Sequence, residues 1–344
     1  MILVTGATGL LGNNIVRELV NRGEPVRALC RANTSRAAIA GLELEVYDGD
    51  LSNVEMIESA VAGCSAVIHS AALIHIGWQK LAASREVNVV GTQHILAACQ
   101  RHNAKLIHIS TVDTLLAAKS IHRPINERDP RPSSYAEDQP TLSVRAYDRI
   151  GKPKLKCAYV VSKFEAEQAV RAAAASGLNA VIIHPGFMLG PYDWKPSSGR
   201  MMLEIRSAPL LIAPRGGCSV SDVRDVANAT INAIEKGKAG EGYILAGENL
   251  TYKQFWKLML AETGKPRSVI VGGPMVVAVG KTIDAANRIC GFSERDVNGA
   301  TIGMGNLKHF YDSSCAHQEL GYERRPLVET IRDAWNWLQQ HAKQ

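Results

Sequence analysis

Much that a chain of 344 residues could carry is missing from this one. Its seven cysteines, Cys30, Cys64, Cys99, Cys157, Cys218, Cys290 and Cys315, lie far apart. They make no CxxC pair and no Cys/His cluster with metal-ligand spacing. The expectation is therefore no metal, and buried, reduced thiols in a cytoplasmic protein. Charge of one sign never gathers. The net charge of +6 is spread thinly and no basic stripe with interleaved aromatics occurs, so no nucleic-acid partner is expected. The apolar stretch 269–279 is too short to cross a bilayer and contains Gly272, Gly273 and Pro274. A buried helix from about Pro274, and no membrane span, is the expectation there. The first residues lack a charged segment followed by an apolar one, so no signal peptide is expected. There is no internal repeat and no low-complexity tract. What remains is 46% hydrophobic and 21% charged residues, ordinary for a globular protein, and a length that allows one large or two smaller domains.

The opening residues are the most informative. Met1-Ile2-Leu3-Val4 is a short apolar strand that runs into Thr5-Gly6-Ala7-Thr8-Gly9-Leu10-Leu11-Gly12. A helical pattern follows, with Ile15, Val16, Leu19 and Val20 on one face. A strand, a glycine turn and a helix N-terminus in that order form a site for a pyrophosphate. Gly6 permits a tight turn, Gly9 leaves room for phosphate, and Gly12 lets the helix pack on the strand. The free N–H groups and the positive end of the helix dipole face the anion. The spacing is GxxGxxG rather than GxGxxG.

Strand and helix patterns then alternate. Strands are expected at 25–29, 42–47, 66–69, 105–109 and 180–184, with helices at 54–61, 81–101 and 159–175. This rhythm predicts an α/β fold, a doubly wound parallel sheet of the Rossmann kind with ligands at the carboxyl ends of the strands. The segment 113–157 breaks the rhythm with five prolines and many charges. It reads as an insertion over the active site or as a disordered surface loop. Beyond 190 comes an irregular region, then a helix at 222–236, a strand at 243–246, and three or four further helices. The last begins near Pro326, with Val328, Ile331, Trp335 and Leu338 on one face. The expected division is a dinucleotide-binding domain at 1–190, to which 216–246 returns. The segments 191–215 and 247–344 form a smaller, mostly helical substrate lobe.

Tyr159-Val160-Val161-Ser162-Lys163 carries the chemistry. A spacing of four places Tyr159 and Lys163 on one helical face. A free tyrosine has a pKa of about 10 and is a poor base at neutral pH, and a nearby ammonium is expected to lower it. The pair could then move a proton to or from an alcohol or carbonyl oxygen. The strand before it ends in Ser110-Thr111, either of which could hydrogen-bond the reacting oxygen.

Together these motifs resemble the extended branch of the short-chain dehydrogenase/reductase superfamily, of the NAD-dependent epimerase/dehydratase type. Other landmarks match in order. Asp50-Leu51 resembles the pair that contacts adenine, and Ser70-Ala71-Ala72 the segment that lines the cofactor. Asn88 through Thr92 resembles the central-helix motif, and His184-Pro185-Gly186 the turn that passes the nicotinamide. The likeness is greatest to the dihydroflavonol-reductase-like and hopanoid-associated sugar-epimerase-like groups. The resemblance implies Tyr159 as general acid/base and Lys163 as the residue that binds the nicotinamide ribose and tunes the phenol. It implies Thr111 as the catalytic hydroxyl with Ser110 as fallback, and Asn88 as the helix-kinking fourth member. It implies cofactor contacts from Gly6, Thr8, Gly9, Leu10, Leu11 and Gly12.

The second strand ends in Arg31, with Arg36 close behind and no acid. A guanidinium grips a 2′-phosphate, whereas an acid would hold the ribose hydroxyls of NAD, so NADP(H) is expected over NAD(H). The leading expectation is a reductase or dehydrogenase of a small-molecule carbonyl or alcohol. A nucleotide-sugar epimerase or dehydratase would want cations in the second lobe, for which Lys195, Arg200, Arg206 and Arg215 are candidates. A non-catalytic NADP sensor is the third reading. The helices at 81–101 and 159–175, the second with its run Ala172 to Ala175, suit a homodimer.

Overall fold

The computed structural model describes residues 1–77, 79–129, 157–273 and 298–341. In chain order the strands are β1 (Ile2–Thr5), β2 (Val26–Cys30), β3 (Glu45–Asp48), β4 (Ala66–His69), β5 (Lys105–Ile109) and β6 (Ala180–Pro185). Then follow β7 (Phe187–Leu189), β8 (Ile212–Ala213), β9 (Gly217–Asp222), β10 (Gly242–Leu245), β11 (Glu248–Thr251) and β12 (Ile270–Val271). The helices are α1 (Leu10–Asn21), α2 (Val54–Val61), α3 (Leu81–Arg85), α4 (Gly91–His102), α5 (Ala158–Ala175) and α6 (Gly199–Ser207). They continue with α7 (Val223–Lys236), α8 (Tyr252–Glu262), α9 (Gly299–Gly305), α10 (Ser314–Leu320) and α11 (Leu327–His341).

Seven strands form one parallel sheet in the order β3-β2-β1-β4-β5-β6-β10. Chain order reverses between β1 and β4, which opens a crevice outside their carboxyl ends. Apolar strands buried on both faces need helices on both faces. On one side Ile15, Val16 and Leu19 of α1 pack with Val226 and Ile231 of α7. On the other, Ile57 and Val61 of α2 pack with Ile95 and Cys99 of α4 and Val170 of α5. The sheet is the doubly wound fold that the β–α rhythm implied.

A third core lies beyond β6. Met202, Ile205, Phe255, Met259, Ile331 and Leu338 pack there, beside the small sheet β11-β9-β7. Asp222 caps α7 by accepting from Arg224 N, and β10 then returns to the main sheet. The buried stripe of α11 is Leu327, Ile331, Ala334 and Leu338, so the expected face is rotated and Val328 is only half-buried.

One expected helix is interrupted. Between α3 and α4 the residues Glu86–Val90 form a π-helical turn. The cause is Asn88, whose buried amide is held by neighbours outside its own helix. The helix expected from Pro274, Cys290, and most of the insertion (130–156) lie outside the described residues. Among the described residues no helix is long and apolar enough to cross a membrane, and no His/Cys/Asp/Glu group could hold a metal ion.

Candidate active site

The glycine turn has the shape its sequence implies. Gly6 sits at φ +74°, and a Cβ there would lie 2.8 Å from Ala71 N. A Cβ at Gly12 would lie 2.2 Å from the Gly6 carbonyl oxygen, because α1 packs directly on the turn. Gly9 is exposed at the mouth, its N–H donating to Gly6 O at 2.9 Å. Thr8 and Leu10 are half-buried beside it, and Leu11 is in the core. The first turn of α1 holds no acidic residue, so nothing offsets the positive end of its dipole. A cradle that side chains would fill, beside an uncompensated helix N-terminus, fits a dinucleotide pyrophosphate.

Beneath the turn runs a line of buried hydrogen bonds. Ala71 N donates to Thr5 Oγ1 at 3.1 Å, and Thr5 Oγ1 lies 2.8 Å from His69 Nδ1. His69 Nε2 lies 3.1 Å from Thr92 Oγ1, which donates to Asn88 O at 2.6 Å. Thr92 spends its one hydrogen on Asn88 O, so His69 carries a proton on Nε2, and a neutral ring lets Nδ1 accept from Thr5. Burial and the nearby Lys163 charge hold His69 down at about 3, which agrees. Ser70 and Ala72 are half-buried on either side of Ala71.

Beyond the carboxyl end of β2 lies a cleft of about 530 Å³ lined by Arg31, Thr34, Asp48, Gly49, Asp50 and Met56, among them the residues expected at the adenosine. Arg31 is exposed and makes no ion pair among the described residues. Arg36 differs from expectation: its guanidinium already pairs with Asp48 at the rim. Asp50 closes its own turn, accepting from Ser52 N at 2.9 Å and Ser52 Oγ at 2.7 Å. Leu51 turns its side chain into the core under Gly91, away from the cleft.

At the carboxyl end of β5 the chemistry gathers. Tyr159, Lys163 and Glu167 follow one another along one face of α5. Lys163 is buried and its Nζ donates to Ile109 O. Burial pulls its pKa down to about 8, against the pull of Glu167. Thr111, just after β5, donates from its hydroxyl to Asp113 Oδ2 at 3.1 Å. Ser110 is not available as a fallback, since its hydroxyl donates to Glu167 Oε2 at 2.6 Å.

Tyr159 corrects the sequence argument on one point. Burial, with the negative charge of Asp113, pushes its pKa well above the ordinary tyrosine value and so disfavours the phenolate. Lys163 instead donates from its ammonium to the Ile109 carbonyl.

Asn88 uses its side chain elsewhere. Its Oδ1 accepts from Leu73 N at 2.7 Å, and its Nδ2 donates to Leu73 O at 3.0 Å and Ser162 Oγ at 2.9 Å. It ties the loop after β4 to α5 and so positions Tyr159 from behind. β6 ends at the buried Pro185, and a Cβ at Gly186 would lie 2.6 Å from Ser219 O. Sequence reading missed Glu167, Asp113 and His309. Glu167 had a signal, the helical period continued one turn past Lys163. His309 had none.

Among the described residues the second lobe gives no cationic cluster for a diphosphate. Arg206 donates to Thr263 O and lies over the Trp335 ring at 4.8 Å. Arg215 donates to Gly272 O at 3.0 Å, Arg200 donates to Pro196 O at 3.4 Å, and Lys195 is exposed.

Comparison with known proteins agrees with this geometry. The model of the NAD dependent epimerase/dehydratase family matches residues 2–246. The chain is 30% identical to a provisionally named dihydroflavonol 4-reductase of Synechocystis sp., covering 98% of this chain and 94% of that one. It is 29% identical to the sterol demethylase protein B of Methylococcus capsulatus over 99% of this chain and 98% of that one. Among solved structures, gox2253 superposes with a TM-score of 0.82 at 30% identity, covering 100% of this chain and 99% of the other.

Proposed function

Because the chain belongs to the NAD dependent epimerase/dehydratase family and is an NAD(P)-dependent oxidoreductase of the extended short-chain type, we propose that it is an NADP(H)-dependent reductase or dehydrogenase. Its substrate is the carbonyl or alcohol of a small molecule, and Tyr159 is the proton donor or acceptor. The observation that carries this reading is Tyr159 one helical turn before the buried Lys163, whose ammonium ties that helix to Ile109 O at the carboxyl end of β5, with Thr111 two residues beyond. A protonated phenol is suited to donate to an oxygen that is gaining charge.

The cofactor would rest on Gly6, Gly9 and Gly12, with Arg31 toward the 2′-phosphate and Lys163 toward the nicotinamide ribose. When bound, the dinucleotide supplies or takes the hydride. The chain's own residues do the rest. Thr111 and Tyr159 orient the substrate oxygen, and Tyr159 moves the proton. Ile76 and Met304, packed against the Tyr159 cluster, favour a substrate with an apolar body. A second copy of the chain across α4 and α5 belongs to the same reading. So does a reducing, cytoplasmic setting, which the wide spacing of the seven cysteines suits.

The epimerase reading has less support, because Arg206 and Arg215 of the second lobe already bond backbone carbonyls there. One experiment separates the two. The purified protein is denatured to look for released nucleotide, and NADPH and NADH oxidation are followed with a panel of ketones. Turnover that prefers NADPH, with no retained nucleotide, is expected. Retained NAD and no net oxidation would overturn the proposal.

A further inference from the structure

β2 ends without an acid, but the strand beside it supplies one. Cys30 and Asp48, the last residues of β2 and β3, are register partners, and Gly49 N donates to Cys30 O at 2.9 Å just past them. Neighbouring strands lie about 4.8 Å apart. Asp48 therefore stands one strand's width from the position where an acid would hold the ribose hydroxyls of NAD. It lines the same cleft as Arg31. Beyond Arg31 the chain turns back at once, with Thr34 N donating to Arg31 O at 2.9 Å. The 3-10 turn Ala37–Ile39 that follows is pinned to α1. Ala38 O accepts from Asn13 Nδ2 at 2.8 Å and from Arg17 Nη2 at 3.0 Å. Arg36, at the start of that turn, is thereby brought onto Asp48, and the two form an ion pair. Asp50, the other acid of the cleft, accepts from Ser52.

We propose that Asp48 is a specificity-determining residue that holds Arg36 in reserve. The guanidinium stays on Asp48 beside an unphosphorylated adenosine ribose and passes from it to the 2′-phosphate of NADPH. This rests on the NADP(H) reading, and adds to it a residue that opposes that preference. The pair is built for exchange. Its side chains are 42% and 57% exposed, so their attraction is screened and small. A phosphate gives a guanidinium two oxygens and more negative charge than a carboxylate does. Asp48 remains in water when Arg36 leaves it, so no buried charge is stranded. Its own charge acts the other way. A carboxylate in the cleft lining repels a phosphate and accepts from a ribose hydroxyl. Arg31 and Arg36 favour NADPH, Asp48 favours NADH, and the balance narrows the choice between them.

The test is binding, with no substrate present. Dissociation constants for NADPH and NADH are measured by fluorescence titration of the full chain and of its variants. Asp48→Asn keeps the shape of the side chain and removes its charge, which frees Arg36. It is expected to raise the preference for NADPH over NADH by about tenfold or more, and Asp48→Ser to move it the same way. Arg36→Gln is expected to weaken NADPH by about tenfold and to leave NADH within about twofold. A preference that stays in place in both Asp48 variants overturns the proposal, and so does an Arg36→Gln that weakens both coenzymes alike. The parent's own constants judge the NADP(H) reading separately. If the parent binds NADH more tightly and Asp48→Asn still moves the ratio, that reading fails and the exchange stands. If the parent prefers NADPH and the ratio does not move, the reverse holds.

Discussion

Glu167 shows how much a single buried charge can ask of its neighbours. Its carboxylate is 3% exposed and accepts from Ser110 Oγ, Thr114 Oγ1, His184 Nε2 and Arg171. A carboxylate in that position is tolerable only when such donors satisfy it. Burial pushes its pKa up, but His184 and the hydrogen bonds prevail and leave it at about 2. Its folded value therefore lies below the ordinary 4.5, so it adds stability above that pH, and the contribution fades as pH falls toward 2. His69, held at about 3, works in the same direction from pH 6.5 downward. The expectation for Glu167→Gln is a loss of about 3 kcal/mol at neutral pH and a flatter fall of stability between pH 4.5 and 2. Urea midpoints against pH measure both, and parallel curves for the two proteins would contradict it. Tyr159, Lys163 and Thr111 were legible because their relation is local, a helical period and a strand end. Asp113 and His309, 3.1 Å apart, were not, because only the folded chain brings them together.

Elements were most legible where punctuation was clear. The strands at 66–69 and 105–109 and the helix at 54–61 coincide with the sequence reading, each bounded by Gly, Asn or Ser. The π turn in the central helix left no mark in the apolar period, because it arises from the bonds of Asn88 to Leu73 and Ser162. The face of α11 was misread by one position. Trp335 looked like core, but it is half-buried beneath Arg206, and Ala334 takes the buried place. The glycine turn gives the element-scale prediction. Gly12→Ala would place its Cβ 2.2 Å from a backbone oxygen that cannot move without the turn. A loss of about 1–3 kcal/mol in stability and at least a tenfold weaker NADPH affinity are expected. Gly9→Ala, whose nearest contact would be 3.3 Å, should be milder in stability. Fluorescence titration with NADPH decides, and an unaltered affinity in Gly12→Ala would contradict the cradle.

At the scale of the molecule, strand order places the site. The reversal between β1 and β4 sets the glycine turn beside Ala71, and β5 brings Thr111 alongside. That much was legible, since alternating strands and helices with right-handed crossovers allow few arrangements. The second lobe was not, because its short, proline-broken pieces gain their core only by meeting one another. The homodimer belongs to this scale. Gln168, Ala172 and Ala175 line an exposed edge of α5, and Gln93, Ala97 and Gln100 one of α4. Sedimentation at micromolar concentration should give twice the chain mass, and a single-chain mass would reject the dimer. The account as a whole turns on one hydroxyl. Tyr159→Phe, measured for NADPH affinity and for ketone reduction together, should bind coenzyme like the parent and lose activity by a factor of about 10² to 10⁴. Activity at the parental level, with the phenol gone, would contradict it.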